Sequence, residues 1–288
     1  MEWRGGRRGG NIEDRRGMGG GAVVGGGVGI LGIAAVLIGV FVFGMDPRQA
    51  MDLVSGAGAG GGGQPVQEGQ RGTPQDEAGQ FVDVVEQSTT EVWTAIFAAS
   101  GAQYERPAGM VLYDGATGTG CGTGQAAMGP FYCPSDRKVY MDLTFWNELE
   151  SKFGASGEFA RAYVIAHEVG HHVQNLEGAM QKAQRQGMRG SDSGAVRLEL
   201  QADCYAGVWA ARAGTQAGGG LKFNAQDIVD GLGAASAVGD DTIQKKTQGR
   251  VVPDAFTHGT AAQRMRWFRA GYEAGDPAAC DTFGARSL

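Results

Sequence analysis

Apolar residues recur at spacings of three and four from Phe81 onward, at Phe81, Val84, Val85, Val92, Trp93, Ile96 and Phe97. That period predicts an amphipathic helix to about residue 98. Between 109 and 146 the period falls to two. In "KVYMDLTF", Val139, Met141, Leu143 and Phe145 alternate with Tyr140, Asp142 and Thr144, which predicts a half-buried strand, and "MVLYDG" supplies a second short apolar run. The helical period returns over 158–176, 195–213 and about 224–238, and a last helix opens at Thr260 and runs to about Ala274. No internal repeat is present. A helix, then short strands, then helices predict an α+β domain, mostly helical with a small sheet, rather than an alternating parallel sheet.

Upstream the pattern changes in kind. Residues 21–43, "GAVVGGGVGILGIAAVLIGVFVF", carry no charged or strongly polar side chain. At about 1.5 Å per residue a helix of that length covers roughly 34 Å, enough to cross a bilayer. A cleaved signal peptide would have a shorter apolar region, of about 7–15 residues, so a retained single transmembrane helix is expected. Arg4, Arg7, Arg8, Arg15 and Arg16 precede the span and only Arg48 closely follows it. The positive-inside rule then keeps the N-terminus in the cytoplasm and places everything after residue 44 outside. Gly, Gln, Pro and Ser dominate 44–80, which reads as a flexible linker. The expected layout is a basic cytoplasmic arm at 1–20, a membrane-spanning helix at 21–43, a Gly-rich linker at 44–80 and a globular domain at 81–288.

The chain has 288 residues and 52 glycines, many of them before residue 80, which leaves ample length for one sizeable core. Its net charge is −6. The five arginines of the arm face Glu2, Glu13 and Asp14, so the remainder carries about −8, which argues against nucleic acid as a partner. Nothing in the sequence indicates an oligomeric state. Four cysteines, Cys121, Cys133, Cys204 and Cys280, all fall in the part expected outside the cytoplasm, and none forms a C-x-x-C pair. We expect two disulfides: Cys121 with Cys133, closing a short loop, and Cys204 with Cys280.

Chemistry concentrates in "VIAHEVGHHVQ", which holds three of the four histidines. On a helix, residues four apart share a face, so His167 and His171 can each turn a nitrogen toward a common ion. Two neutral imidazoles suit Zn²⁺, and Glu168, beside the open coordination position, is placed to act as general base on water. This is the H-E-x-x-H arrangement of metalloproteases. The extended version, with a further histidine six residues on, fails because position 177 is Glu. A third ligand must come from elsewhere. The best candidate is Glu199 in "RLELQADCYAGVWA", where Asp203 lies four residues later on the same face and can accept the N–H of a ligating imidazole. His172 is turned about 100° from the metal-facing direction and is read as structural or as a support behind a ligand, not as a ligand itself. His258, just before the last helix, is placed to donate to the oxyanion formed when water attacks a carbonyl, or to cap or pack its loop.

The stretches "GPFYCPSDRKVYMDL", "FARAYVIAHEVGHHVQ", "RLELQADCYAGVWA" and "GRVVPDAFTHGTAAQRMRWF", with the opening "MEWRGGRRGGNIEDRRG", resemble the bacterial neutral zinc metallopeptidase family. That resemblance runs through nearly the whole chain apart from the Gly-rich linker. It implies a zincin-like domain behind a single membrane anchor in the bacterial cell membrane, with one Zn²⁺ held by His167, His171 and Glu199. It further implies Glu168 as general base, Asp203 as hydrogen-bond partner of a ligand, His258 as transition-state donor, and a protein or peptide substrate lying along the "YMDLTF" strand. An endopeptidase is expected rather than an exopeptidase. The alternative from another class is a non-catalytic, zinc-stabilised membrane adaptor that binds extended polypeptide.

Overall fold

The computed structural model describes residues 1–18, 68–151, 154–155, 157–214 and 221–288. Its strands are β1 (Ile12–Asp14), β2 (Gln70–Gly72), β3 (Gly109–Tyr113), β4 (Ala116–Thr119), β5 (Gly122–Gln125), β6 (Phe131–Cys133) and β7 (Lys138–Asp142). Its helices are α1 (Glu77–Ala99), α2 (Phe145–Ser151), α3 (Glu158–Glu177), α4 (Ala179–Arg185), α5 (Gly194–Ala213), α6 (Ala225–Ala237), α7 (Asp240–Gln248) and α8 (Ala261–Ala274).

Local chemistry sets the helix ends. Asp76 and Ser193 accept from the backbone N–H groups of Gly79 and Val196, starting α1 and α5. Asn224 with Asp227, and Thr260 with Gln263, form capping boxes on α6 and α8. Gly178, at φ 76°, turns the chain out of α3. The five-stranded sheet runs β2-β1-β3-β7-β6, with β1, β3 and β7 mutually parallel and the outer strands antiparallel. One sheet face, with Ile12, Met110, Leu112, Val139 and Met141, buries itself against Phe81, Val85 and Val92 of α1 and Phe159, Tyr163 and Ile165 of α3. A second cluster joins Trp93, Val169, Val173, Val196, Leu200, Val208 and Trp267, and so locks α1, α3, α5 and α8 together.

The N-terminal residues overturn the expected single-pass placement. Instead of forming a separate arm, they carry β1, which pairs Ile12 with Met110 in β3 and with Gly72 in β2. Trp3 is buried in the main core. Every arginine counted as a positive-inside flank has an acid: Arg4 pairs with Glu77, Arg7 with Glu91, Arg8 with Asp83, Arg15 with Glu13, and Arg16 with Asp14 and Asp76. An arm in the cytoplasm and a domain beyond the membrane would separate strands that here share one sheet. Among the described residues no helix is long and apolar enough to cross a membrane. The expected fold, a domain behind a transmembrane helix, and its placement as a single-pass membrane protein are therefore corrected. The span expected at 21–43 lies outside the described residues. The end of the expected linker is also ordered, as β2 and the start of α1.

Two sheet expectations change too. β7 is buried on both faces, because Tyr140 stacks on Phe131 at 5.1 Å and the Cys121–Cys133 disulfide closes over that side. It also lies between β3 and β6, and β6 pairs with it over Lys138–Tyr140, so the edge expected along "YMDLTF" is already taken at its first residue. On that side the edge belongs to β6, whose Tyr132 hydroxyl meets His172 and Asn175 of α3.

A candidate metal centre between three helices

α3 and α5 approach closely at the centre of the fold. A Cβ on Gly170 would stand 3.2 Å from the Ala202 carbonyl oxygen, so the glycine inside "HEVGHH" lets the helix carrying Glu199 come this near. Among the described residues, His167, His171 and Glu199 form a group whose ligand atoms lie within 4.8 Å of one another. His167 Nε2 is 3.2 Å from Glu199 Oε2, and His171 Nε2 is 3.4 Å from Glu199 Oε1. A tetrahedral zinc site with bonds of about 2.0–2.1 Å separates neighbouring ligand atoms by about 3.3 Å, so the spacing fits zinc. The chemistry of the donors fits as well, being two imidazoles and one carboxylate.

Each imidazole is oriented from behind. His167 Nδ1 donates to Asp203 Oδ1 at 2.9 Å, and His171 Nδ1 lies 2.8 Å from Gln174 Oε1. In the neutral tautomers both Nε2 atoms would turn lone pairs toward an acceptor carboxylate, so a proton or a metal cation is called for between each ring and Glu199. Burial opposes a charge on His167, but the hydrogen bond and charge of Asp203, reinforced by Glu199, outweigh it and raise the ring to about 10. The space between the ring and Glu199 thus favours positive charge. Burial likewise works to raise Glu199, yet the positive charges of His171 and His258 and the histidine hydrogen bonds bring it well below the usual carboxylate range. Glu168 goes the other way. Its carboxyl is buried, and burial pushes it above the ordinary value against the pull of the two neighbouring imidazoles.

Asp203 is fully buried and heavily partnered. Besides His167 it accepts from the Tyr163 hydroxyl and from Arg264, whose Nε reaches Oδ2 at 2.7 Å and whose Nη2 reaches Oδ1 at 2.9 Å. Burial alone would raise this carboxyl, but the Arg264 guanidinium and His167 hold it down. Arg264 arrives on α8, which touches α5 backbone to backbone: a Cβ on Gly271 would stand 1.9 Å from the Cys204 carbonyl oxygen. Arg264 and Tyr163 are not among the site residues that the motifs mark. Arg264 did leave a signal, since it shares a helical face with the buried Trp267, Phe268 and Gly271, where the period calls for an apolar residue.

His258 stands at the rim. Its side chain is 46% exposed, and its loop packs on α5 through Gly259, beside Val196 and Leu200. Asp240 builds that loop. Its Oδ2 accepts from the backbone N–H groups of Thr257, His258 and Gly259 at 2.7, 2.7 and 3.0 Å, while Oδ1 lies 3.2 Å from His258 Nδ1. Desolvation opposes protonation of the ring, but the charge of Glu199 and the bond to Asp240 raise it. His172 is elsewhere: it is fully buried, with its nitrogens at the Tyr132 hydroxyl and the Glu105 carbonyl.

Both expected disulfides are present, Cys121–Cys133 and Cys204–Cys280, and the second ties the helix of Glu199 and Asp203 to the C-terminal segment.

Comparisons with other proteins bear on what this group holds. The chain is 43% identical over 299 residues to the uncharacterized protein YpfJ of Escherichia coli strain K12, covering 99% of both chains. It is 48% identical over 219 residues to the uncharacterized protein Rv2575 of Mycobacterium tuberculosis, covering 74% of both. No solved structure matches it. The family described as "Putative neutral zinc metallopeptidase" matches residues 1–283, a span that contains every residue of the centre, and its description implies zinc as the metal. The chain belongs to this zinc metallopeptidase family.

Proposed function

We propose that this protein is a zinc endopeptidase acting on protein or peptide substrates. The observation that carries the reading is the convergence of His167 Nε2, His171 Nε2 and a Glu199 carboxylate oxygen, with the buried Glu168 on the same helix turn. His167, His171 and Glu199 would hold one zinc, which when bound supplies the Lewis acidity for activating water and polarising a carbonyl. Glu168 takes a proton from the attacking water and passes it to the leaving amine; its burial brings the carboxyl nearer to neutrality, where such transfers run best. Asp203, clamped by Arg264 and Tyr163, keeps His167 in the tautomer that presents Nε2. His258, held by Asp240, donates to the oxyanion at the rim.

The test is the Glu168→Gln variant, incubated with an unfolded protein and assayed for zinc content and cleavage products. We expect zinc to stay at one per chain while cleavage at internal bonds falls by about 10²–10⁴-fold, the usual worth of a general base. Wild-type turnover in that variant would overturn the assignment.

A further inference from the structure

Asp203 accounts for the orientation of His167, but the other imidazole is held by a different device. Gln174 is fully buried on α3, and its amide is fixed from one side: Nε2 donates to the Leu198 carbonyl at 2.7 Å and to Gln201 Oε1 at 3.1 Å. A carbonyl can only accept, so the NH₂ group must face Leu198, which leaves Oε1 toward His171 Nδ1 at 2.8 Å. The His171 ring must then carry its proton on Nδ1 and present Nε2 as a bare lone pair to the ligand group. Gln201 is fixed by the same logic, because its Nε2 donates to the Cys280 carbonyl at 3.1 Å. Each amide is therefore anchored at its nitrogen end by a backbone carbonyl, and the relay has one sense from Cys280 to His171.

The two ends of this relay matter. Leu198 immediately precedes Glu199, so one amide registers the ring of His171 against the backbone of the third ligand. Cys280 is bonded to Cys204 on α5, and the C-terminal segment is further held by Arg197, which donates to the Ala285 carbonyl at 3.0 Å, and by Thr282, which donates to the Arg197 carbonyl at 2.6 Å. Resting on the zinc reading above, we propose that Gln174, backed by Gln201 and the disulfide-anchored C-terminal segment, is the positioning residue for His171 and sets the zinc affinity of the centre. The two histidines are then oriented by unlike partners. An anion with its own arginine holds His167, and a neutral amide tied to the backbone holds His171. The neutral partner fixes direction without adding a further buried charge to a site that already contains Glu168, Glu199 and Asp203.

The experiment measures zinc dissociation constants of the full chain by competition with a chromophoric chelator, for wild type, Gln174→Met, Gln174→Glu and Gln201→Met, with thermal unfolding recorded for each. Loss of an outer hydrogen bond to a zinc-bound imidazole typically weakens affinity 10–100-fold, and Gln174→Met should fall in that range. Gln201→Met, one bond further out, should weaken it about 3–10-fold, below that range. Gln174→Glu keeps an acceptor for His171 Nδ1 and should bind zinc at least about tenfold more tightly than Gln174→Met. Both position-174 variants lose the Leu198 and Gln201 bonds, and Gln174→Glu also turns an anionic oxygen on those two acceptors, so a merely structural role would weaken Gln174→Glu at least as much as Gln174→Met. Equal zinc affinity of Gln174→Met and Gln174→Glu, or of Gln174→Met and wild type, would overturn the proposal while leaving the zinc site standing. A wild-type chain that takes up no zinc would overturn both.

Discussion

Replacing Trp3 by Ala tests the placement of the N-terminal residues most directly. The indole is 4% exposed, meets Phe81 edge to face at 5.3 Å, and donates from Nε1 to Glu158 Oε1 at 2.7 Å. A buried aromatic side chain of this size removes about 150–250 Å² from water, which at about 25 cal/mol per Å² corresponds to roughly 4–6 kcal/mol. Truncations of Trp in cores cost about 3–5 kcal/mol, so we take about 4 kcal/mol for Trp3→Ala. With a urea slope of about 3 kcal/mol per molar, the unfolding midpoint followed by far-ultraviolet circular dichroism should fall by roughly 1.3 M. Arg7→Ala is the control: its pair with Glu91 has the arginine 57% exposed, and exposed pairs contribute about 0–1 kcal/mol, so its midpoint should barely move. A Trp3→Ala midpoint equal to that of wild type would refute the reasoning, because a tryptophan on an arm outside the fold has nothing to lose.

The acid side of stability offers a second check on the same placement of the N-terminal residues, through the pair of Arg16 with Asp76. Asp76 is brought down to about 2, chiefly by its hydrogen bonds with Arg16. A carboxylate with a lowered folded value contributes stability that is present above its unfolded value and lost as pH falls through the folded one. The gap between wild type and Asp76→Asn should therefore be open at pH 7, close between about pH 4 and pH 2, and, with the Asp76 side chain 47% exposed, amount to no more than about 1 kcal/mol. A gap that widens with acid in paired thermal melts would contradict the sign. The disulfides should differ in worth: Cys204–Cys280 spans 76 residues and Cys121–Cys133 spans 12, so the chain-entropy relation gives about 4.5 and about 2.8 kcal/mol. Denaturation of Cys280→Ser and Cys121→Ser would reverse that inference if the shorter loop proved the costlier to open.

What the sequence disclosed follows from where each interaction is encoded. The helix of the candidate centre was legible because His167, Glu168 and His171 lie within one turn and a half of a strongly periodic segment, and Glu199 with Asp203 because both fall on one face of another. β1 was not legible. It is three residues, Ile-Glu-Asp, with no apolar run, and its partners are Met110 and Gly72, far away in sequence. Charge counting then misled, since an arginine paired with a distant acid and an arginine in solvent look alike in a composition. Glu13 shows the difference: it is 1% exposed, yet its carboxylate is met by Arg15 and by Lys138 at 2.7 Å, so a polar strand can be interior without leaving a charge unpaired. Arg264 obeys the same physics at the candidate metal centre. A charge on a face that the helical period assigns to the core must bring its partner inside with it, and Asp203 is that partner. Interior charges of this kind are visible in sequence as breaks in an apolar face, whereas the identity of the partner is set by helix crossings such as that of α5 and α8, which only the folded chain supplies.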